Sequence, residues 1–236
     1  IQVIDEAERK GGNILIPAFA VGRTQELLFQ LGKLYHRGGL RNWVVCLDTP
    51  MGKAVTDTYS RFLADLDPQD TRYLKKEHAA SLTEYLPNLV ISESVDDSIA
   101  INRIKQGVII IAGSGMCTGG RIRHHFKHRL WSADNHVVLV GYQAQGTLGR
   151  MLVDGIKSVK LFGQTIAVKA KIHTIGGFSA HAGLDELLVW SKAFACCPRF
   201  FLVHGEEKSL ENLQHCLGKQ LSIKATIPSL GDRYVF

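Results

Sequence analysis

Two histidines lie where apolar runs of the sequence give way to loops of small residues. His181 closes a Gly-Gly-Phe-Ser-Ala-His turn after a β-rich run, and His204 follows an apolar run and precedes a glycine. In α/β folds, ligands bind where strands end at the carboxyl edge of the sheet. A histidine there can hold a metal or transfer a proton near neutral pH. A capping or core role is the alternative for each histidine, and the matching positions favour the functional interpretation.

Four loops rich in glycine and small residues follow predicted strands, at 17–23, 48–52, 113–121 and 141–147. Glycine lets the backbone approach a ligand closely, and amide groups at a helix start attract anions. We therefore predict phosphate binding by the third loop and by two arginines, which add charge. The residues are Ser114, Gly115, Gly119, Gly120, Arg121 and Arg23. The alternatives are glycines that serve tight turns only and, for Arg23, a solvated helix start.

A histidine-rich stretch follows the third loop. On a helix, His124 and His128 would share one face, which is a spacing that metal sites use. The glutamate of the H-E-x-x-H motif is absent, so we favour a basic helical face instead. Its basic members are Arg121, Arg123, Lys127 and Arg129.

The composition is that of an ordinary globular protein with a basic surface. The 236 residues are 45% hydrophobic and 21% charged, with a formal net charge of +6. This charge favours a polyanionic partner such as nucleic acid. Five cysteines without a C-x-x-C pair predict reduced thiols and a cytoplasmic location. No run reaches membrane-spanning length and no signal peptide is visible, so we expect no membrane partner.

Apolar runs alternate with helical patterns such as 23–35, which implies an α/β fold with a mostly parallel sheet and helices on both faces. The first strands are predicted at 13–16, 43–47, 88–92, 108–112 and 137–141. From Ile166 the pattern changes to a longer strand that runs through Ile175. We predict a domain boundary near Ile175. The chain opens inside a helical pattern, which predicts a fragment of a longer protein.

Five motifs occur in an order that resembles one known family. They are IPAFAVGRTQELL at 16–28, GSGMCTGGR at 113–121, GYQAQGTL at 141–148, FSAH at 178–181 and LVHGE at 202–206. Together they resemble the metallo-β-lactamase-fold nucleases of the β-CASP group. That group includes the endonuclease subunit that cuts pre-mRNA 3′ ends, with bacterial and archaeal relatives.

The resemblance implies a zinc-dependent phosphodiesterase that processes or degrades single-stranded RNA. Residues 1–175 would be the β-CASP domain, and 176–236 the C-terminal segment of the metallo-β-lactamase αββα domain. His181 would be the catalytic histidine that helps to protonate the leaving oxygen, and His204 a ligand of one of two zinc ions. Ser179, in the same motif as His181, is assigned to substrate binding. The oligomeric state is left open, with a homodimer among the alternatives.

The sequence departs from the family pattern at the metal site. The family's H-x-H-x-D-H run does not occur here, and a zinc site needs several protein ligands. We therefore expect at most partial zinc binding and no hydrolysis by these residues alone. One alternative is a non-catalytic RNA-binding or scaffolding relative, although such relatives usually lose the two histidines. A hydrolase of small molecules is another, although the long insertion would have no obvious use there.

Overall fold

Residues 1–65, 68–177, 181–194, 196 and 198–235 are described by the computed structural model of the protein. The chain divides into unit 1, Ile1–Ser179, and unit 2, Ala180–Phe236. The helices of unit 1 are α1 Gln2–Lys10, α2 Arg23–His36, α3 Pro50–Arg61, α4 Pro68–Lys76, α5 Leu82–Tyr85, α6 Val95–Ala100, α7 Ile122–Arg129 and α8 Leu148–Val153. Its strands are β1 Ile14–Pro17, β2 Val44–Asp48, β3 Leu89–Ile91, β4 Val108–Ala112, β5 His136–Leu139, β6 Ser158–Leu161, β7 Gln164–Ala167 and β8 Lys171–Thr174.

A six-stranded sheet of order β3-β2-β4-β1-β5-β8 forms the centre of unit 1, and neighbouring strands within it are parallel. The strands β1, β4 and β5 are buried along their whole length. Their continuous β-branched and aliphatic runs are typical of parallel strands that are covered on both faces. The predicted α/β class with a mostly parallel sheet is therefore confirmed.

Successive residues of the central strands face two separate cores. Ile109 and Ile111 of β4 pack in a core that includes Leu28 of α2. Ile110, between them, packs in a second core that includes Phe126 of α7. This alternation follows from the two-residue period of a strand. Helices therefore cover both faces of the sheet, and the loops that follow β1, β2, β4 and β5 lie at one edge because these strands are parallel.

The predicted strand through 166–175 is wrong in one respect, because the structure has two strands there. β7 pairs antiparallel with β6 in a separate hairpin, whereas β8 joins the central sheet beside β5. Between them, the amides of Lys169 and Ala170 donate to the Leu130 carbonyl at 2.8 and 2.9 Å. These bonds hold the backbone against the end of α7, where it cannot continue the β7 pairing.

Unit 2 contains α9 Leu184–Lys192, β9 Phe200–Phe201, α10 Glu207–Leu221 and β10 Ala225–Thr226. β9 and β10 pair in parallel, and the helices contribute Leu188 and Leu217 to a small core with Leu202. Across the part of the chain that the structure describes, none of the helices combines the length and apolarity that a membrane span requires.

Candidate nucleic-acid interface

A buried carboxylate organises the carboxyl edge of the sheet in unit 1. Asp48 ends β2, and its side chain has no exposed surface. It accepts hydrogen bonds from Ser98 Oγ at 2.6 Å, His125 Nε2 at 2.6 Å and Arg121 Nη1 at 2.7 Å. The same Arg121 nitrogen also donates to Ser92 Oγ at 3.2 Å. The carboxylate thus ties the ends of β2 and β3 to α6 and to the start of α7.

Asp48 is ionised in this setting. Burial by itself would raise the pKa of the Asp48 carboxyl, but hydrogen bonds from side chains, led by that from His125, outweigh burial and lower it. Charge-assisted hydrogen bonds of this kind are stronger than those between neutral groups. Since the ionised carboxylate only accepts, His125 Nε2 carries the proton in this bond. The cluster therefore fixes the Arg121 guanidinium against the sheet edge.

The loop at 113–121 is closed by its own hydrogen bonds. The Ser114 amide donates to the Gly119 carbonyl at 3.2 Å, and the Gly119 amide donates to Ser114 Oγ at 3.1 Å. The Cys117 amide donates to the Ser114 carbonyl at 3.0 Å. Ser114 and Gly119, both predicted to bind phosphate, thus shape the loop, and their side chain and amides are engaged within it.

Gly115 and Gly120 occupy positions where a side chain would collide with neighbouring atoms. A Cβ on Gly115 would lie 2.7 Å from the ring of Phe19, in the loop after β1. Gln143, in the loop after β5, donates to the Gly115 carbonyl at 3.1 Å. Gly120 has a φ of +71°, and a Cβ there would meet the Gly113 carbonyl. The glycines thus allow three loops to pack together at one sheet edge.

Several amides of this loop donate no hydrogen bond to any residue that the structure describes. They are the N–H groups of Met116, Thr118 and Gly120, together with that of Gly115, which is buried. Backbone amides that have no acceptor within the protein are available to an anion. α7 begins directly after the loop and has no acidic residue in its first turn. The geometry is therefore compatible with phosphate binding.

The two predicted arginines differ in their settings. Arg23 is the first residue of α2 and follows Gly22, whose φ is +76°. Arg121 is bonded to Asp48 and keeps 21% of its side chain exposed. Part of its charge is neutralised by that partner, and its bonds to Asp48 and Ser92 hold the end of the loop at the sheet edge. Phosphate contact by either arginine stays a prediction.

The predicted basic face of α7 is corrected at one position. Arg129 is buried, and its Nη2 donates to the Ile101 carbonyl at 2.7 Å, so this residue supports the fold. His124 is exposed and stacks on the ring of Phe162, with the centroids 4.2 Å apart. Within the described residues, no three His, Cys, Asp or Glu side chains come together as a metal site.

His181 and His204 both lie exposed in unit 2. His181 precedes α9, and His204 follows β9 and precedes α10. His204 has a φ of +70°, a left-handed conformation that is uncommon outside glycine and often marks functional positions. The preceding strands, β8 and β9, belong to different sheets, so matching strand ends do not by themselves bring the histidines together. Ser179 lies outside the described residues.

Sequence reasoning missed the cluster around Asp48. The loop 48–52 was singled out only for its glycine, and His125 only as part of a histidine run. An aspartate that directly ends an apolar parallel strand was the available signal, because such a side chain starts its loop at the ligand-binding edge. Its partner Ser98 carried no signal, since nothing local links it to β2.

Two family profiles match different parts of the chain, and the second match begins within unit 1. The Beta-Casp domain profile matches residues 24–152. The profile described as a Zn-dependent metallo-hydrolase RNA specificity domain matches residues 165–228.

Several curated relatives match nearly the whole length of the chain. It is 38% identical over 235 residues to ribonuclease TTHA0252 of Thermus thermophilus, covering 98% of this chain and 51% of that protein. It is 31% identical over 240 residues to transcription termination factor FttA of Pyrococcus horikoshii, covering 97% and 36%. An RNase J-like protein of Methanocaldococcus jannaschii is 30% identical over 231 residues, covering 98% and 52%. The chain thus spans between about a third and about half of these relatives. The Beta-Casp match covers more than half of the chain, which therefore belongs to the β-CASP group of the metallo-β-lactamase superfamily.

Proposed function

We propose that the protein that carries this chain is a zinc-dependent RNA phosphodiesterase. In this proposal residues 1–175 are the β-CASP domain, which holds single-stranded RNA, and 176–236 belong to the metallo-β-lactamase domain. The observation that carries the proposal is the loop at 113–121, where several amides have no acceptor among the described residues and lie beside a helix start without acidic residues. Relatives named ribonuclease and RNase J-like protein support the same class of activity.

RNA binding in this proposal is directed at the phosphate backbone. The amides of the 113–121 loop donate to phosphate oxygens, and Arg23 and Arg121 add positive charge. The Asp48 carboxylate keeps the Arg121 guanidinium at the sheet edge, at 2.7 Å. Contacts of this kind carry no information about the base sequence. Binding should therefore tolerate many sequences and weaken steeply with salt.

His181 and His204 have distinct roles in the proposal. His181 donates a proton to the leaving oxygen of the cleaved phosphodiester, with Ser179 contacting the same substrate. Imidazole suits this role because its ordinary pKa lies near neutral pH. His204 is a metal ligand, and its left-handed conformation is the kind of backbone outlier that functional sites retain.

The described residues do not by themselves fit a zinc ion. None of their His, Cys, Asp and Glu side chains form a group of three that could hold a metal. Of the proposed zinc ligands, these residues would supply His204 alone. The zinc requirement and the number of two ions belong to the proposal, and the family description of residues 165–228 supports metal use.

Metal analysis of the protein that carries this chain tests the assignment of His204. His204→Ala should lower the zinc content measured by mass spectrometry of the purified protein, whereas His181→Ala should leave it near the parent value. His215→Ala, which changes a histidine within α10, is the matched control. Parent zinc content in His204→Ala would contradict a role for His204 as a ligand.

Assembly and location complete the proposal. The proposal includes a homodimer as one possible assembly. A monomer in light scattering of the purified protein would contradict the homodimer. The free thiols of Cys46, Cys117, Cys196 and Cys216 support the proposed cytoplasmic location. RNA binding without any cleavage would favour the alternative of a non-catalytic scaffold.

A further inference from the structure

Phe162 lies in an unusual conformation at the tip of the β6–β7 hairpin. Its φ is +49°, which is a genuine outlier for a bulky side chain, and 47% of the residue is exposed. Asn, Asp or Gly would occupy this position of a hairpin turn with less strain. The hairpin already has its apolar anchors, because Val159 and Leu161 are buried in the core of unit 1. An exposed ring held in a strained turn indicates a function beyond packing.

The first turn of α7 supports the Phe162 ring with cationic and aromatic groups. The His124 ring stacks on it at a centroid distance of 4.2 Å and an interplanar angle of 23°. The Arg123 guanidinium carbon lies 5.3 Å from its centroid. Arg123 also donates to the Thr118 carbonyl at 3.4 Å, within the 113–121 loop. Phe162 is therefore connected through one residue to the loop that we propose to hold phosphate.

Positive charge is concentrated in the two segments of sequence that carry this ring and its partners on α7. No Asp or Glu occurs from Ser98 to Ala133 or from Gly155 to Leu184. Lys160 is exposed on β6, two residues before Phe162, and Lys127 lies one turn after Arg123 on α7. An exposed aromatic ring beside a cation, in a segment rich in cations, suits single-stranded nucleic acid, because bases stack on rings while cations contact the phosphates.

We propose that Phe162 is a stacking site for a base of the RNA strand whose phosphate is held by the 113–121 loop. The proposal rests on the RNA-binding function above and extends the contact surface from the sheet edge to the hairpin. His124 orients the ring, and Arg123 and Lys160 attract the neighbouring phosphates. Residues 153–164 lie between the two family matches, so neither match assigns a role to this ring.

A purely structural role makes a different prediction. If Phe162 only fastens the hairpin to α7, then any loss of RNA binding on its removal would accompany a loss of stability. Phe162→Leu keeps an apolar side chain over α7 and removes the ring, whereas Phe162→Tyr keeps the ring. Phe62→Leu is the matched control, because Phe62 is 57% exposed and lies near Asp57 and Asp65.

The test measures the binding of a fluorescein-labelled 12-nucleotide single-stranded RNA by anisotropy across a salt series, with thermal melting of each variant. Phe162→Leu should weaken binding by roughly tenfold, the scale of one stacked base, at an unchanged melting temperature and salt slope. Phe162→Tyr and Phe62→Leu should bind as the parent does. Lys160→Ala should instead flatten the salt dependence by about one unit.

The other possible outcomes contradict the proposal, and each has a different meaning. If the parent binds RNA and Phe162→Leu binds it equally well, the stacking site is wrong but the proposed RNA binding is not. Loss of binding together with a lower melting temperature in both Phe162 variants would assign the ring to the fold. A parent that binds no RNA would overturn the proposed function as well. As a second measurement, 4-thiouridine crosslinks should map to 157–164, and crosslinks confined to other segments would contradict the stacking site.

Discussion

Asp48→Asn removes one charge from the buried cluster with almost no change in volume. In the parent, the fully buried carboxylate accepts hydrogen bonds from Ser98, His125 and Arg121 at 2.6 to 2.7 Å. The asparagine amide presents one acceptor oxygen and two donor hydrogens, so either Arg121 would face a donor or both Ser98 and His125 would have to change from donors to acceptors. The Arg121 guanidinium would lose its counter-ion.

The expected cost can be worked from these contacts. Removing one partner from a buried ion pair typically costs about 3–5 kcal/mol. Arg121 keeps 21% of its side chain exposed and can be partly solvated, so we expect the lower end, about 3 kcal/mol. With a urea m value of about 2 kcal/mol/M, this corresponds to a midpoint lower by about 1.5 M.

Urea unfolding followed by circular dichroism measures this cost, and its pH dependence checks the cause. The pKa of the Asp48 carboxyl is lower in the folded state than in the unfolded chain. Its stabilisation is therefore fully present above about pH 4 and is lost as the pH falls through the folded pKa. The gap between parent and Asp48→Asn should shrink in acid.

Asp57→Asn is the control for this prediction. Asp57 is exposed and pairs with Lys53 at 3.4 Å on the surface of α3, so its replacement should cost less than about 0.5 kcal/mol. An Asp48→Asn cost below about 1 kcal/mol at neutral pH, or a gap that is as large at pH 3 as at pH 7, would refute the role given to this carboxylate.

Three further predictions concern the loop and the sheet. Gly120→Ala should lower the melting temperature and the RNA affinity, because its φ is +71° and a Cβ there meets the Gly113 carbonyl. Gly119→Ala is the control and should behave as the parent does, because no atom lies within 4 Å of the added Cβ. Arg121→Ala should weaken RNA binding alike across sequences and flatten its salt dependence by about one unit, and an unchanged salt series would exclude phosphate contact. Burial lowers the pKa of His136, whose Nδ1 lies 2.9 Å from His173 Nε2. The unfolded chain therefore binds the proton more readily than the folded chain does. The urea midpoint should fall as the pH drops below about 6.5. His136→Gln should flatten that decline, and a parent midpoint that is constant from pH 8 to pH 5 would contradict it.

The sheet could be predicted from local patterns, and the hairpin could not. The apolar run at 108–112 defines β4 by itself, because a parallel strand buried on both faces needs no alternation. The break between β7 and β8 depends on bonds from Lys169 and Ala170 to the distant Leu130 carbonyl. No pattern within 166–175 contains that information.

The candidate site shows the same division between local and distant information. Glycine content marks the loop at 113–121 as a place of tight turns and close packing, since Gly120 requires a positive φ and Gly115 lies against the Phe19 ring. The partner of Arg121 is Asp48, 73 residues away, and only the fold brings the two together. The sequence alone therefore indicates a free cation at Arg121, whereas in the structure the Asp48 carboxylate binds its guanidinium.

Single-turnover cleavage of a labelled single-stranded RNA, by the protein that carries this chain, tests the central claim most directly. The parent should cleave the RNA, and His181→Ala should slow cleavage by roughly a hundredfold or more with zinc content and RNA affinity near the parent values. His215→Ala should cleave at the parent rate. Cleavage by His181→Ala at the parent rate, or a parent that binds RNA and never cleaves it, would contradict the account.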